Sequence, residues 1–257
     1  MSLVLVLVEP AGPLNVGSVA RLCANFGIDQ LRLVSPRCDH RGEEARRMAV
    51  HGGALLEQAR LFTTLADALA DCRRVVATSG RIEQEALPLA PAGEALTWLR
   101  EGARRSQSTA ALVFGREDRG LSNDELRQAG RVVRLSTAPA YSSLNLSHAV
   151  AICLHELQRL EEQPMSPQVP PAALALAASA PSAQPPSEPT PRATLEAALT
   201  DAEALLLDVG FLYPHTAHAR MAKLRALLQR AQVTDDEVAL LRGMVRQLRW
   251  AAQRRTP

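Results

Sequence analysis

Short apolar runs at 3–8, 31–34, 74–77, 110–114 and 132–135 alternate along the chain with segments of helical periodicity. The runs are rich in Val and Leu, and they lack the in–out alternation of a strand with one wet face. A strand covered on both faces needs that composition, and strands separated by helices pair in parallel. The sequence therefore predicts an α/β domain built on a mostly parallel sheet. Val19, Leu22, Cys23 and Phe26 recur at helical spacing after the first run, with Asn15 placed to cap the helix. Ser122 followed by Glu125 reads as a capping box. Leu146, Ala149, Val150, Cys153, Leu154 and Leu157 form one apolar helix face.

Nine prolines fall between residues 164 and 191, separated by Ala and Ser. Such a stretch is a semi-extended linker. It divides the chain into a domain over 1–163, a linker over 164–191 and a helical piece over 192–257. Three apolar stripes follow the linker: Leu195, Leu199, Ala202, Leu206 and Val209; then Met221, Leu224, Leu228 and Ala231; then Val238, Leu241, Val245 and Leu248. The last is opened by a second capping box, Thr234 with Glu237. A piece of this size buries only a small core.

Charge is distributed unevenly. Residues 1–163 hold 19 Arg against 19 acids, whereas 220–255 hold eight Arg and one Lys against three acids. On the third tail helix Arg242, Arg246 and Arg249 share a face. That row reads either as a solvated surface or as a contact for RNA phosphates.

Exclusions narrow the chemistry. Lys223 is the chain's single lysine, so Gly12-Pro-Leu-Asn-Val-Gly-Ser18 is not a nucleotide-hydrolysing phosphate loop, and no Schiff-base lysine precedes it. No GxGxxG follows the first strand, and neither GxSxG nor HExxH occurs. The four cysteines, at 23, 38, 72 and 153, lack metal-ligand spacing, which predicts no metal and a reducing compartment. The run 3–8 is too short for a signal segment or a membrane span. A cytoplasmic protein without a membrane partner is expected.

Three segments carry the functional signal. Asn15-Val-Gly-Ser-Val-Ala-Arg21, Leu112-Val-Phe-Gly-Arg-Glu-Asp-Arg-Gly-Leu121 and Tyr141-Ser-Ser-Leu-Asn-Leu-Ser-His148 each stand where a strand or loop gives way to a helix. By residues alone, Arg21 reads as a solvated arginine, the second segment as a strand-to-helix turn, and the third as a Ser/Asn helix cap. Together they resemble the three motifs of the SPOUT methyltransferases, in the SpoU branch that methylates RNA ribose 2′-hydroxyls. The tail stretches Asp208-Val-Gly-Phe211, Met221-Ala-Lys-Leu-Arg225 and Leu241-Arg-Gly243 resemble those of TrmJ-type tRNA methyltransferases.

The resemblance implies an α/β fold closed by a C-terminal trefoil knot and followed by a small all-α domain. It implies S-adenosylmethionine as cofactor, a tRNA substrate and a homodimer. The target it suggests is the 2′-oxygen of nucleotide 32 in the anticodon loop, as Cm32 or Um32. Ribosomal RNA, another tRNA position, or a catalytically inactive RNA-binding protein are the alternatives, with an unrelated small-molecule enzyme further off. By the same resemblance Asn15, Arg21, Glu117, Ser143 and Asn145 are catalytic. Thr78, Ser79, Gly80, Gly115, Gly120, Leu135, Ser142, Ser143 and Leu144 hold the cofactor, and Arg81 faces RNA. The row Arg242, Arg246 and Arg249 is the tail's candidate RNA contact by its spacing alone. Arg21 stays protonated and is a poor base. Clamping a phosphate and orienting the hydroxyl suits it better, with Arg21 supplied by one subunit and the cofactor pocket by the other.

Overall fold

The computed structural model describes residues 2–80, 89–104, 108–138, 143–162 and 188–254. Seven strands form one sheet: β1 (Leu3–Val8), β2 (Gln30–Val34), β3 (Arg60–Phe62), β4 (Cys72–Thr78), β5 (Leu89–Ala90), β6 (Thr109–Phe114) and β7 (Arg131–Val133). Their order is β3-β2-β1-β6-β4-β7-β5, and every pairing is parallel. All six residues of β1 are buried. Leu3, Leu5 and Leu7 join one apolar cluster and Val4, Val6 and Val8 another, so alternate side chains feed the two faces of the sheet. This is the continuous apolar run expected of a sheet covered on both sides.

The helices are α1 (Pro13–Asn25), α2 (Glu43–Ala49), α3 (Gly53–Gln58), α4 (Leu65–Leu69), α5 (Ala92–Arg104), α6 (Asn123–Leu126), α7 (Leu146–Glu162), α8 (Arg192–Asp208), α9 (Pro214–Ala231) and α10 (Asp235–Gln253). The capping boxes expected at Ser122–Glu125 and Thr234–Glu237 are both formed. Two sequence expectations are corrected. Asn15 does not cap α1: the cap is Gly12, with Pro13 in the first turn, and Asn15 lies inside the helix. Proline supplies the fixed φ and missing N–H that suit a helix start, which leaves the Asn15 amide available for other partners. The fifth run is shifted as well. β7 ends at Val133 instead of reaching Leu135, and the chain beyond it leaves the sheet. The short edge strands β3 and β5 were not legible as apolar runs.

The knot expected over 115–145 requires the path through residues 139–142, outside the described residues. Most of the expected linker, residues 164–187, lies outside them too.

Helices α8, α9 and α10 share a separate apolar cluster centred on Leu195, Leu199, Leu212, Met221 and Val238. The tail is joined to the sheet domain largely by polar groups. Arg74, 4% exposed, donates from Nη2 to Glu188 Oε1 at 2.5 Å and from Nη1 to the Trp98 carbonyl at 2.6 Å. Arg73 donates to Asp235 at 3.0 Å, Trp98 Nε1 to Gln232 at 3.2 Å, and the Ala193 N–H to the Ala70 carbonyl at 3.1 Å.

Candidate active site

Parallel α/β sheets bind ligands outside the carboxyl ends of their strands. Here β4 ends at Thr78, β6 at Phe114 and β7 at Val133, and a cavity of about 300 Å³ opens beyond them. Its wall brings together Thr78–Gly80, the loop Gly115–Leu121, Leu135, and Ser143–Leu144. Eight residues expected to hold the cofactor are therefore neighbours: Thr78, Ser79, Gly80, Gly115, Gly120, Leu135, Ser143 and Leu144. Glu117 joins them in the wall. Ser142 and Arg81 lie outside the described residues.

The loop after β6 is shaped by its glycines. An antiparallel bridge links Arg116 to Gly120, whose N–H donates to the Arg116 carbonyl at 3.0 Å. A Cβ on Gly115 would sit 2.3 Å from the Gly120 carbonyl carbon, so the turn closes only with glycine there. Gly120 has φ +66°, the left-handed region in which glycine carries no penalty.

Two side chains of that loop fasten it in different directions. Arg116 makes a bidentate pair with Glu125 at 2.9 Å and a single hydrogen bond to Glu9, just past β1. Its hydrogen bond from Arg116 is the main cause that holds the Glu9 carboxyl down at about 2, and the Glu125 and Glu9 carboxylates raise the guanidinium further. Glu125 is also the reciprocal acid of the α6 capping box, accepting from the Ser122 N–H at 2.7 Å. Arg116-Glu-Asp-Arg119 is a run of four charged residues in the sequence. The structure splits it: Arg116 is 10% exposed and paired with two carboxylates, whereas Arg119 is 54% exposed.

Glu117 turns the other way. Its carboxylate accepts from the N–H groups of Ala11 at 3.1 Å and Gly12 at 3.0 Å, and from Asn15 Nδ2 at 3.1 Å. Burial pushes this carboxyl up, but those hydrogen bonds more than offset it, so Glu117 is held below the ordinary carboxylate range. Asn15 Oδ1 in turn accepts from Asn145 Nδ2 at 2.9 Å. Asn145 Oδ1 accepts from the N–H groups of Ser147 and His148, capping α7. The helix-cap reading of Asn145 was thus half of its role. One continuous chain, Glu117–Asn15–Asn145, ties the three sequence segments together.

Gly17 and Arg21, from the first segment, are placed differently. A Cβ on Gly17 would lie 2.2 Å from the Ala45 carbonyl oxygen, so this glycine lets α1 approach α2. Arg21 is exposed on α1 and does not line the cavity. In the tail, Arg242 Nη2 donates to the Asp201 carboxylate at 3.3 Å and Arg249 Nη2 to the Asp201 carbonyl at 3.0 Å, so two of the three aligned arginines fasten α10 to α8. Arg246 is exposed. The reading of the sequence missed Glu9. Its only signal is an acid directly after a buried strand, here at φ +46°.

Residues 2–155, the sheet with all three segments, match the profile of the SpoU rRNA methylase family. The chain belongs to the SpoU methylase family. Residues 193–257 of this SpoU methylase also match the profile described as the C-terminal domain of tRNA methyltransferase TrmJ. The tRNA (cytidine/uridine-2′-O-)-methyltransferase TrmJ of Klebsiella pneumoniae is 35% identical over 248 residues, covering 94% of this chain and 93% of its own. The tRNA (cytidine/uridine/adenosine-2′-O-)-methyltransferase TrmJ of Pseudomonas aeruginosa is 32% identical over 248 residues, covering 93% and 91%. Among solved structures, TrmJ from Z. mobilis ZM4 superposes with a TM-score of 0.77 at 29% identity, covering 95% of this chain and 98% of that one. The similarity to these relatives thus extends over sheet and tail alike.

Proposed function

We propose that this SpoU methylase transfers a methyl group from S-adenosylmethionine to a ribose 2′-hydroxyl of tRNA, on cytidine or uridine at position 32 of the anticodon loop. The observation that carries the reading is the hydrogen-bonded chain Glu117–Asn15–Asn145 at the rim of a cavity on the carboxyl edge of the sheet. The cavity wall suits the cofactor. Closely turned backbone at Gly115–Gly120 and the hydroxyls of Thr78 and Ser143 offer polar contacts, and Leu135 and Leu144 supply apolar surface. S-adenosylmethionine brings an activated methyl group on a sulfonium, and the protein's task is alignment and exclusion of water.

Glu117 acts as a positioning residue in this reading. It is ionised at neutral pH and already accepts three hydrogen bonds, so it is not available as a base. Its pull on Asn15 Nδ2 fixes the orientation of the Asn15 amide, which then accepts from Asn145 and holds the start of α7 beside the cavity. Arg21 orients the ribose through an RNA phosphate, and the phosphate or water takes the proton. Because Arg21 lies off the cavity wall, a second copy of the chain delivers it. Exposed Leu14 on α1 and exposed Ile152 on α7 supply apolar surface for such a homodimer.

Ribose-methylation mapping of total RNA from cells with and without the gene tests the reaction and its position. Loss of one 2′-O-methyl mark at tRNA position 32 is expected, and an unchanged tRNA map with an altered ribosomal RNA map would transfer the reading to rRNA. In purified protein Arg21→Ala is expected to lower turnover at least ~100-fold while S-adenosylhomocysteine affinity stays within a few-fold. Mixing Arg21→Ala with Asn145→Ala should restore part of the activity if the two act across the dimer.

A further inference from the structure

Arg32, Arg74, Arg100 and Arg192 are the buried arginines among the described residues. Three of them have partners. Arg32 pairs with Asp71 at 2.5 Å, Arg74 pairs with Glu188 at 2.5 Å, and Arg100 donates to the Leu160 carbonyl. Arg192 is 9% exposed, its Nε is buried without a hydrogen-bond partner, and no described carboxylate stands within ion-pairing distance. Burial pulls this guanidinium down to about 10, which leaves it charged at neutral pH. Removing a cation from water without pairing it is a large cost.

Arg192 lines a second cavity, of about 450 Å³, enclosed by α4 and α6 of the sheet domain and by α8 and α9 of the tail. Gln229, 5% exposed, lines the same cavity, and its amide Nε2 is also buried without a partner. Arg192 is moreover the first residue of α8, whose N-terminus has no side-chain cap. The Ala193 N–H of that first turn already donates to the Ala70 carbonyl at 3.1 Å, so the buried side chains, and not the helix start, carry the site. The remaining charges in the wall are accounted for. Arg127 pairs with Asp124 at 2.8 Å and Arg225 with Glu196 at 2.8 Å. Asp67 is exposed and accepts from the Thr64 hydroxyl at 2.6 Å.

We propose that this interdomain cleft is a second ligand site, which takes the phosphate group of a small ligand of nucleotide size or less on Arg192 and Gln229. A guanidinium offers two parallel donors to an oxyanion, and the Gln229 amide adds more from a different element. A phosphate has enough oxygens to use both at once, and it compensates a buried cation that has no ion-pair partner among the described residues. The cavity is also within the size range of small-molecule sites.

Calorimetric titration of the full-length protein with inorganic phosphate, and separately with uridine 5′-monophosphate, tests this. Chloride keeps the ionic strength constant, and each titration is repeated in saturating S-adenosylhomocysteine. Saturable binding of at least one probe is expected with a dissociation constant below about 10 mM, unchanged by S-adenosylhomocysteine. Arg192→Met should weaken it at least tenfold. In phosphate-free buffer the same variant should melt no lower than the parent, because its unpaired buried charge is gone. Gln229→Leu should weaken binding a few-fold, and it decides the matter if Arg192→Met does not fold. Absence of saturable binding by either probe, binding equal in parent and variants, or binding abolished by S-adenosylhomocysteine would overturn the proposal.

Discussion

In β1 all six residues are buried, whereas in α10, a helix of 19 residues, Val238 alone is buried. Leu240 is 67% exposed, Leu248 58%, Met244 53% and Trp250 50%. The two regions hold together by different means. The sheet is packed from both faces, so its stability comes from apolar area removed from water. The tail has a small apolar cluster and depends on arginine anchors: Arg225 to Glu196 within it, Arg249 to the Asp201 carbonyl, and Arg73 and Arg74 across to it. Arginine thus serves as the main fastening in a part of the chain whose charge pattern suggested a nucleic-acid surface.

The contrast can be broken at its strongest point by truncating one leucine in each region. Leu112→Ala in β6 should cost about 2–5 kcal/mol, and Leu248→Ala in α10 no more than about 0.5 kcal/mol. Urea unfolding of both variants measures this, and similar losses would show that α10 is packed in solution as the sheet is. Next in size is the anchor between the regions. Arg74→Ala should cost roughly 3 kcal/mol, since it removes the guanidinium that pairs with a mostly buried Glu188. Combined with Glu188→Gln it should cost much less than the sum of the two changes. Additive costs would mean that the pair does not hold the tail.

Acid sharpens the comparison from the sheet side. The folded Glu9 carboxyl lies at about 2, below its usual 4.5. Its contribution is complete above pH ~4.5 and is lost as pH falls toward 2. Stability of the parent should therefore fall more steeply across that window than that of Glu9→Gln, which has no such group to protonate. Equal slopes would remove Glu9 from the account. The smallest effect concerns the aligned arginines of α10. Arg246→Ala should leave stability unchanged and lower the salt slope of tRNA binding by about one unit. Arg242→Ala and Arg249→Ala should instead cost up to about 1 kcal/mol of stability. If all three behave alike, the row is one RNA surface after all.

What the sequence made legible follows the range of the forces involved. Period and composition revealed β1, β2, β4 and β6 because burial on two faces leaves only Val, Leu and their like. The two capping boxes were legible because their partners are three residues apart. The edge strands β3 and β5 were not, since three or two residues with exposed side chains carry no pattern. At the site, the three motif segments could be found one by one, but their joining could not. Glu117 and Asn15 are 102 residues apart, and Asn15 and Asn145 are 130 apart. No local rule connects such positions. For the same reason Asn15 passed for a helix cap, and Arg242 and Arg249 passed for free cations until Asp201 was brought beside them.

Glu125 has a consequence that reaches beyond its own contacts. The same carboxylate starts α6 and grips Arg116, so a four-residue helix and the loop before it share a single proton-sensitive joint. A helix that short does not persist without help, and Arg116 is one of the two side chains that fasten the loop after Gly115. The stretch from Gly115 to Leu126 must therefore open and close as one cooperative unit. Backbone amides along it would then exchange with solvent at a common rate, and this side of the cavity would swing as a hinged panel, not as a row of independent residues.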